Sequence, residues 1–148
     1  MSKERRPKIV VIAGPTASGK SGFAVSLAHS LSGEIVNADS MQVYQGMDIG
    51  TAKPTPEEQG GIPHHLLDVV RPDEPFNAAI YRSRALSAVT DICSRGKPCL
   101  VVGGTGLYIR ALVGGLMKAP PSDPIVREAL CRECDLNGPA SLHERLTG

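Results

Sequence analysis

Residues 12–24 read IAGPTASGKSGFA, and the spacing within this stretch decides the fold. The octet from Gly14 to Ser21, GPTASGKS, fits G-x-x-x-x-G-K-[ST] in full, the pattern of nucleotide-binding loops of the ATP-binding kind. Before it, KIVVIA (Lys8 to Ala13) is a β-branched run that stops at Gly14 and Pro15, which predicts a buried strand feeding a loop. After it, Phe23, Ala24, Leu27, Ala28 and Leu31 recur at spacings of three and four, which predicts a helix from Gly19 to Ser32 capped by Gly33. Strand, glycine-rich loop and helix in this order make a phosphate cradle. Its glycines let successive backbone N–H groups point inward around phosphate oxygens, and the helix N-terminus adds partial positive charge. Lys20 sets an ammonium on the far phosphate, and Ser21 is the candidate magnesium ligand. The loop therefore fixes a ligand class but not a reaction, because it grips a diphosphate equally well whether phosphate is transferred or departs.

Outward from the loop, EIVNA predicts a second strand ending at Asp39, HLLDVV (His65 to Val70) a third and PCLVV (Pro98 to Val102) a fourth. Between the last two, Asn77 caps a helix whose apolar side includes Ile80, Leu86, Val89, Ile92 and Cys93, stopped by Gly96 and Pro98. Strands alternating with helices imply an α/β fold, a P-loop NTPase-like parallel sheet flanked by helices. Ligands bind such sheets beyond the carboxyl ends of the strands. That rule puts Gly14 to Ser21, Asp39 to Tyr44 and Gly103 to Tyr108 on one rim. A short helix through Arg110, a proline-rich turn at Ala119 to Pro121, and a helix capped by Asp123 with Pro124 at its first position follow. The 148 residues suit one domain, and with four strands and an end just after a helix it reads as incomplete at the C-terminus.

Composition excludes several classes. Sixteen Lys plus Arg against 15 Asp plus Glu leave a net charge of +1, so any nucleic-acid contact must be local. The basic cluster KERRPK (Lys3 to Lys8) reads as a solvated leader, and five scattered aromatics make no base-stacking platform. No apolar run reaches the ~18 residues of a membrane span and no signal-peptide core is present, so the expected location is the cytoplasm. Cys131 and Cys134 form a CxxC without a second ligand pair apart from His143, in a helical segment, which reads against metal or redox use.

Asp39 is the strand-end carboxylate nearest the cradle, since CLVV runs into GGTG without an acid. It serves either as magnesium organiser or as base; a ribose-binding acid is excluded by the glycine pattern. Thr105 is placed to touch a ligand or to cap the next helix, and His64 and His65 read as loop packing.

The blocks GPTASGKS, NADSMQVY (Asn37 to Tyr44), MDIGTAKP (Met47 to Pro54), PHHLLD (Pro63 to Asp68), FNAAIYR (Phe76 to Arg82), VGGTGLYIRAL (Val102 to Leu112) and SDPIVR (Ser122 to Arg127) together resemble the tRNA dimethylallyltransferase family. The resemblance implies a transferase that moves the dimethylallyl group of dimethylallyl diphosphate to the exocyclic amine of the adenine just 3′ of the tRNA anticodon, with diphosphate as leaving group. It implies Asp39, Thr105 and Lys20 as catalytic residues, with Asp39 the base. Asp39, Ser40, Met41, Gln42, Thr105 and Arg127 meet tRNA, and Thr16 to Ser21 hold the diphosphate and its tail with Mg2+ on Ser21. The implied partners are dimethylallyl diphosphate and the anticodon arm, and the full-length protein is expected to be a monomer. Members of the family are longer, with a helical insertion over the tRNA that here begins at about 120–148 and further strands. Residues 1–148 therefore correspond to a truncated prenyl-diphosphate-binding domain, expected to turn over weakly or not at all alone. A small-molecule or nucleotide kinase, an adenine-nucleotide prenyltransferase and a non-catalytic phosphate-binding fragment are the competing readings.

Overall fold

The computed structural model describes residues 7–117 and 123–147, so the turn at Ala119 to Pro121 and most of the KERRPK cluster lie outside the described residues. The chain divides into two compact units, Met1–Leu116 and Met117–Gly148.

The first unit is built on four parallel strands: β1 (Ile9–Ala13), β2 (Glu34–Asn37), β3 (His64–His65) and β4 (Cys99–Gly103). Their spatial order is β1-β4-β2-β3, so the fourth strand lies between the first two. Every residue of β2 and β4 is buried, as strands covered on both faces require. Along β4 the pleat sends Leu100 and Val102 into one core with Ala24 and Ala28 of helix α1 (Lys20–Leu31). Cys99 and Val101 enter the other core, with Tyr81, Ala85, Val89 and Ile92 of α3 (Ala78–Ser94) and Tyr108 and Leu112 of α4 (Gly106–Gly114). The result is a P-loop NTPase-like α/β layer with helices on both faces of the sheet. Tyr81 and Tyr108 stack across α3 and α4 with ring centroids 4.2 Å apart.

Four expectations need correction. The strand after Lys8 is not buried: β1 lies at the sheet edge, with Val10 and Val11 42% and 39% exposed and a partner only on its β4 side among the described residues. The strand expected from His65 to Val70 stops at His65, because Leu66 and Asp68 take left-handed backbone (φ 64° and 52°) that no ladder accommodates. The chain returns to extended pairing only at Val70, in a bridge to Tyr44. The left-handed cap of α1 is Ser32 (φ 53°) rather than Gly33, whose amide closes the helix on Ala28 O. Gly33 is glycine for room, since a Cβ there would lie 2.8 Å from Pro98 O. On α3 the buried stripe is Tyr81, Ala85, Val89 and Ile92, while Ile80, Leu86 and Cys93 are only half-buried. A further short helix, α2 (Pro56–Gln59), was not anticipated; Thr55 and Glu58 close a reciprocal capping box around it.

The second unit contains α5 (Pro124–Asn137) and α6 (Pro139–Thr147). Asp123 caps α5 as expected, accepting from the amides of Ile125 and Val126.

Candidate functional site

The loop between β1 and α1 has the backbone of an anion nest. Ala17 and Gly19 are left-handed (φ 64° and 78°), and this alternation turns successive amides toward one side. Gly19 caps α1 without a side-chain hydrogen bond, so among the described residues no side chain occupies the first amides of the helix. Lys20 folds over the same loop and donates from Nζ to Pro15 O at 3.1 Å. Gly14 holds Ser18 close, as an added Cβ would stand 3.1 Å from its Oγ. Ser21 opens α1 and is exposed, its hydroxyl without a partner among the described residues.

Asp39 stands one residue beyond Ala38, where β2 and β4 come closest. A Cβ on Gly103 would lie 2.2 Å from Ala38 O, so this approach requires glycine. The amide of Thr105 donates to Ala38 O at 3.1 Å, fastening the loop after β4 to the loop after β2. Asp39 Oδ1 accepts from the amides of Met41 (2.9 Å) and Gln42 (3.3 Å), which fixes the carboxylate and leaves Oδ2 without a partner among the described residues. Thr105 Oγ1 accepts from the Ser40 amide at 2.9 Å and donates to Ser40 Oγ at 3.3 Å, so two predicted residues are one hydrogen-bonded pair. Helix α4 starts at Thr105 without its hydroxyl as cap, which removes the capping alternative for that side chain.

A cleft of about 180 Å³ joins these parts. It is lined by Thr16 to Gly22 on the cradle and by Asp39, Gln42, Thr51 and Ala52 on the loop after β2. Below Lys20 and Ser21 a smaller cavity of about 20 Å³, enough for one water, is bounded by Asn37, Asp39, Gln42 and His64. Gln42 is buried and spends its amide on the wall, donating from Nε2 to Thr51 O and Ala52 O, both at 3.0 Å. Met41 is 44% exposed beside it. Arg127 is exposed on α5, in the other unit.

Among the described residues no group of three or more His, Cys, Asp or Glu is placed to hold a metal ion. Magnesium bound through phosphate oxygens needs only one or two protein oxygens, and the Ser21 hydroxyl and Asp39 carboxylate line one cleft, so the donor set fits that ion.

The histidines are not loop residues, since they form β3. His64 Nδ1 lies 2.8 Å from Ile62 O, and burial pushes its pKa down. His65 has a partner that local spacing hides, Glu34, whose Oε2 is 2.8 Å from its Nε2. Glu34 is buried at the start of β2, and Arg95 above all, then Lys97 and His65, hold its carboxyl well below the usual range against the opposing cost of burial. This cluster sits at the opposite end of β2 from Asp39 and ties α3, β2 and β3 together. Cys131 and Cys134 are free thiols on α5, and burial pushes the Cys99 thiol up to about 12. The sequence reading assigned no chemistry to Thr51, Ala52 or Glu34; MDIGTAKP carried only a resemblance, and Glu34 looks like any strand-flanking acid until its cations arrive from 61 and 63 residues away.

The family model described as IPP transferase matches residues 42–148. The tRNA dimethylallyltransferase of Geobacter sulfurreducens is 55% identical over 141 residues, covering 95% of this chain and 45% of that protein. The one from Anaeromyxobacter dehalogenans is 55% identical over 139 residues, covering 94% and 46%. The chain thus spans about half the length of the curated relatives it matches. Among solved structures, the full-length tRNA isopentenylpyrophosphate transferase from Bacillus halodurans superposes with a TM-score of 0.75 at 43% identity, covering 96% of this chain and 47% of that one. A eukaryotic dimethylallyltransferase acting on tRNA gives 0.71 at 39% identity over 78% of this chain and 28% of that one.

Proposed function

The chain belongs to the IPP transferase family, and from that premise we propose that it forms the donor-binding and base-bearing part of an enzyme that prenylates tRNA. The donor is dimethylallyl diphosphate, and the acceptor is the exocyclic amine of the adenine 3′ of the anticodon. The observation that carries this reading is the shared cleft: Asp39 lines the same space as the amides of Thr16 to Gly22.

In the reaction the amine nitrogen attacks the allylic carbon, the carbon–oxygen bond to the diphosphate breaks, and the amine proton passes to Asp39. Negative charge grows on the departing diphosphate, where the cradle amides and the Lys20 ammonium are fixed donors that need no reorganisation. Magnesium, held by Ser21 and the phosphates when bound, supplies further neutralisation of that charge. The two amides on Asp39 Oδ1 hold the carboxylate still, so Oδ2 serves as the proton acceptor. The Thr105–Ser40 pair supports the acceptor side beside it, with Met41 and Gln42, and Arg127 also meets tRNA. An adenine stacked in the anticodon arm has to be extruded to reach Asp39, at a cost of a few kcal/mol. Such an enzyme works in the cytoplasm, as a monomer.

The test is mass spectrometry of an anticodon stem-loop incubated with dimethylallyl diphosphate and magnesium. Three proteins are compared: this chain, a form extended to the relatives' length, and the extended Asp39→Asn form. Product from the extended form, little or none from the short chain, and loss with Asp39→Asn are expected. Phosphoryl transfer from ATP to a small acceptor without prenylation would replace this reading with a kinase.

A further inference from the structure

The loop from Val43 to Pro54 contains no helix, yet its Thr51 and Ala52 line the cleft together with the phosphate cradle's own residues. At its end Lys53 is almost wholly enclosed, its side chain 5% exposed. Its ammonium donates to Tyr44 O at 2.8 Å, Asp48 Oδ1 at 2.7 Å and Asp68 Oδ1 at 2.6 Å, which uses all three of its protons. One cation thus joins the beginning, middle and end of the loop to the segment after β3. Residues on both sides of it are held against local preference: Ala52 and Asp68 are left-handed, at φ 51° and 52°. A buried charge with two carboxylates is a weak way to stabilise a fold compared with an apolar filler. It is an effective way to specify one geometry.

What that geometry sets is the wall. Thr51 and Ala52, directly before Lys53, line the cleft, and their carbonyls accept from the Gln42 side chain, while the Gln42 backbone N–H donates to Asp39 Oδ1. Lys53 itself does not line the cleft, so any influence on a ligand passes through these neighbours. The cradle's donors take phosphate, and beyond the cradle the cleft offers an ester group attached to that phosphate Thr51 and Ala52 beside Asp39 and Gln42.

We propose that Lys53 is a positioning residue that, by clamping Tyr44, Asp48 and Asp68, sets the Thr51–Ala52 wall against which the apolar tail of the diphosphate ester packs. This rests on the prenyl-donor reading above.

Calorimetry with this chain and magnesium tests it, comparing inorganic pyrophosphate with dimethylallyl diphosphate. The wild-type chain is expected to bind the ester more tightly. Lys53→Met is expected to weaken the ester by at least about tenfold, since a small displacement of a packing wall is costly, while leaving pyrophosphate on the cradle nearly unchanged. Asp48→Asn, altering a partner that is 68% exposed, is expected to move the same ratio in the same direction by less, and it decides the matter if Lys53→Met does not fold. Equal weakening of both ligands, or an unchanged preference for the ester in both variants, overturns the clamp alone. A wild-type chain that binds the two ligands equally overturns the prenyl-donor reading and the clamp with it.

Discussion

Asp39 is held at one oxygen by the Met41 and Gln42 amides, so its two oxygens have different duties. Asparagine keeps an acceptor for those amides but loses the basic oxygen. Asp39→Asn in the extended protein is therefore expected to lower transfer by about 10²–10⁴-fold with pyrophosphate affinity preserved, measured by product formation and by calorimetry. Glu34 presents the opposite case, a carboxylate used for architecture. Its folded pKa lies below the ordinary 4.5, so its contribution is complete above that value and is lost as pH falls through the folded value. Glu34→Gln is expected to cost about 2 kcal/mol at neutral pH and to flatten the loss of stability on acidification below pH 4.5, read from urea midpoints. That Lys20, Ser21 and Asp39 come to one cleft was legible in the sequence because each sits at a fixed offset from a strand end. Glu34 and Lys53 were not, because their meaning lies in partners brought by the fold rather than by spacing.

At the scale of elements, the site depends on how closely the ends of β2 and β4 approach. Gly103→Ala puts a Cβ 2.2 Å from Ala38 O and 2.3 Å from its carbonyl carbon, both backbone atoms that side-chain rotation cannot relieve. A loss of about 3 kcal/mol in chemical denaturation is expected, together with weaker activity, since the shift moves Asp39 and Thr105 apart. Helices α1, α3 and α5 were legible from their periodicity and caps, with Asn77 and Asp123 placed as read. The third strand was misjudged because His65 to Val70 is apolar enough for a strand, while the left-handed turns at Leu66 and Asp68 leave no mark in residue type. The Ser32 cap was missed for a related reason: glycine beside it answers a packing demand from Pro98 and so imitates a cap.

For the molecule as a whole, the parallel α/β layer was legible because strand, loop and helix signals repeat in order. The edge position of β1 was not, because a β-branched run looks alike at the centre and at the side of a sheet. Among the described residues β1 pairs only with β4 and leaves Val10 and Val11 exposed. The strand order has a consequence for biosynthesis. β1 and β2 never touch as neighbours, and each has its longer ladder with β4, which closes at Gly103. A ribosome must therefore deliver about two-thirds of these 148 residues before any ladder between long strands can zip, leaving the early segments dependent on helices or chaperones while translation proceeds.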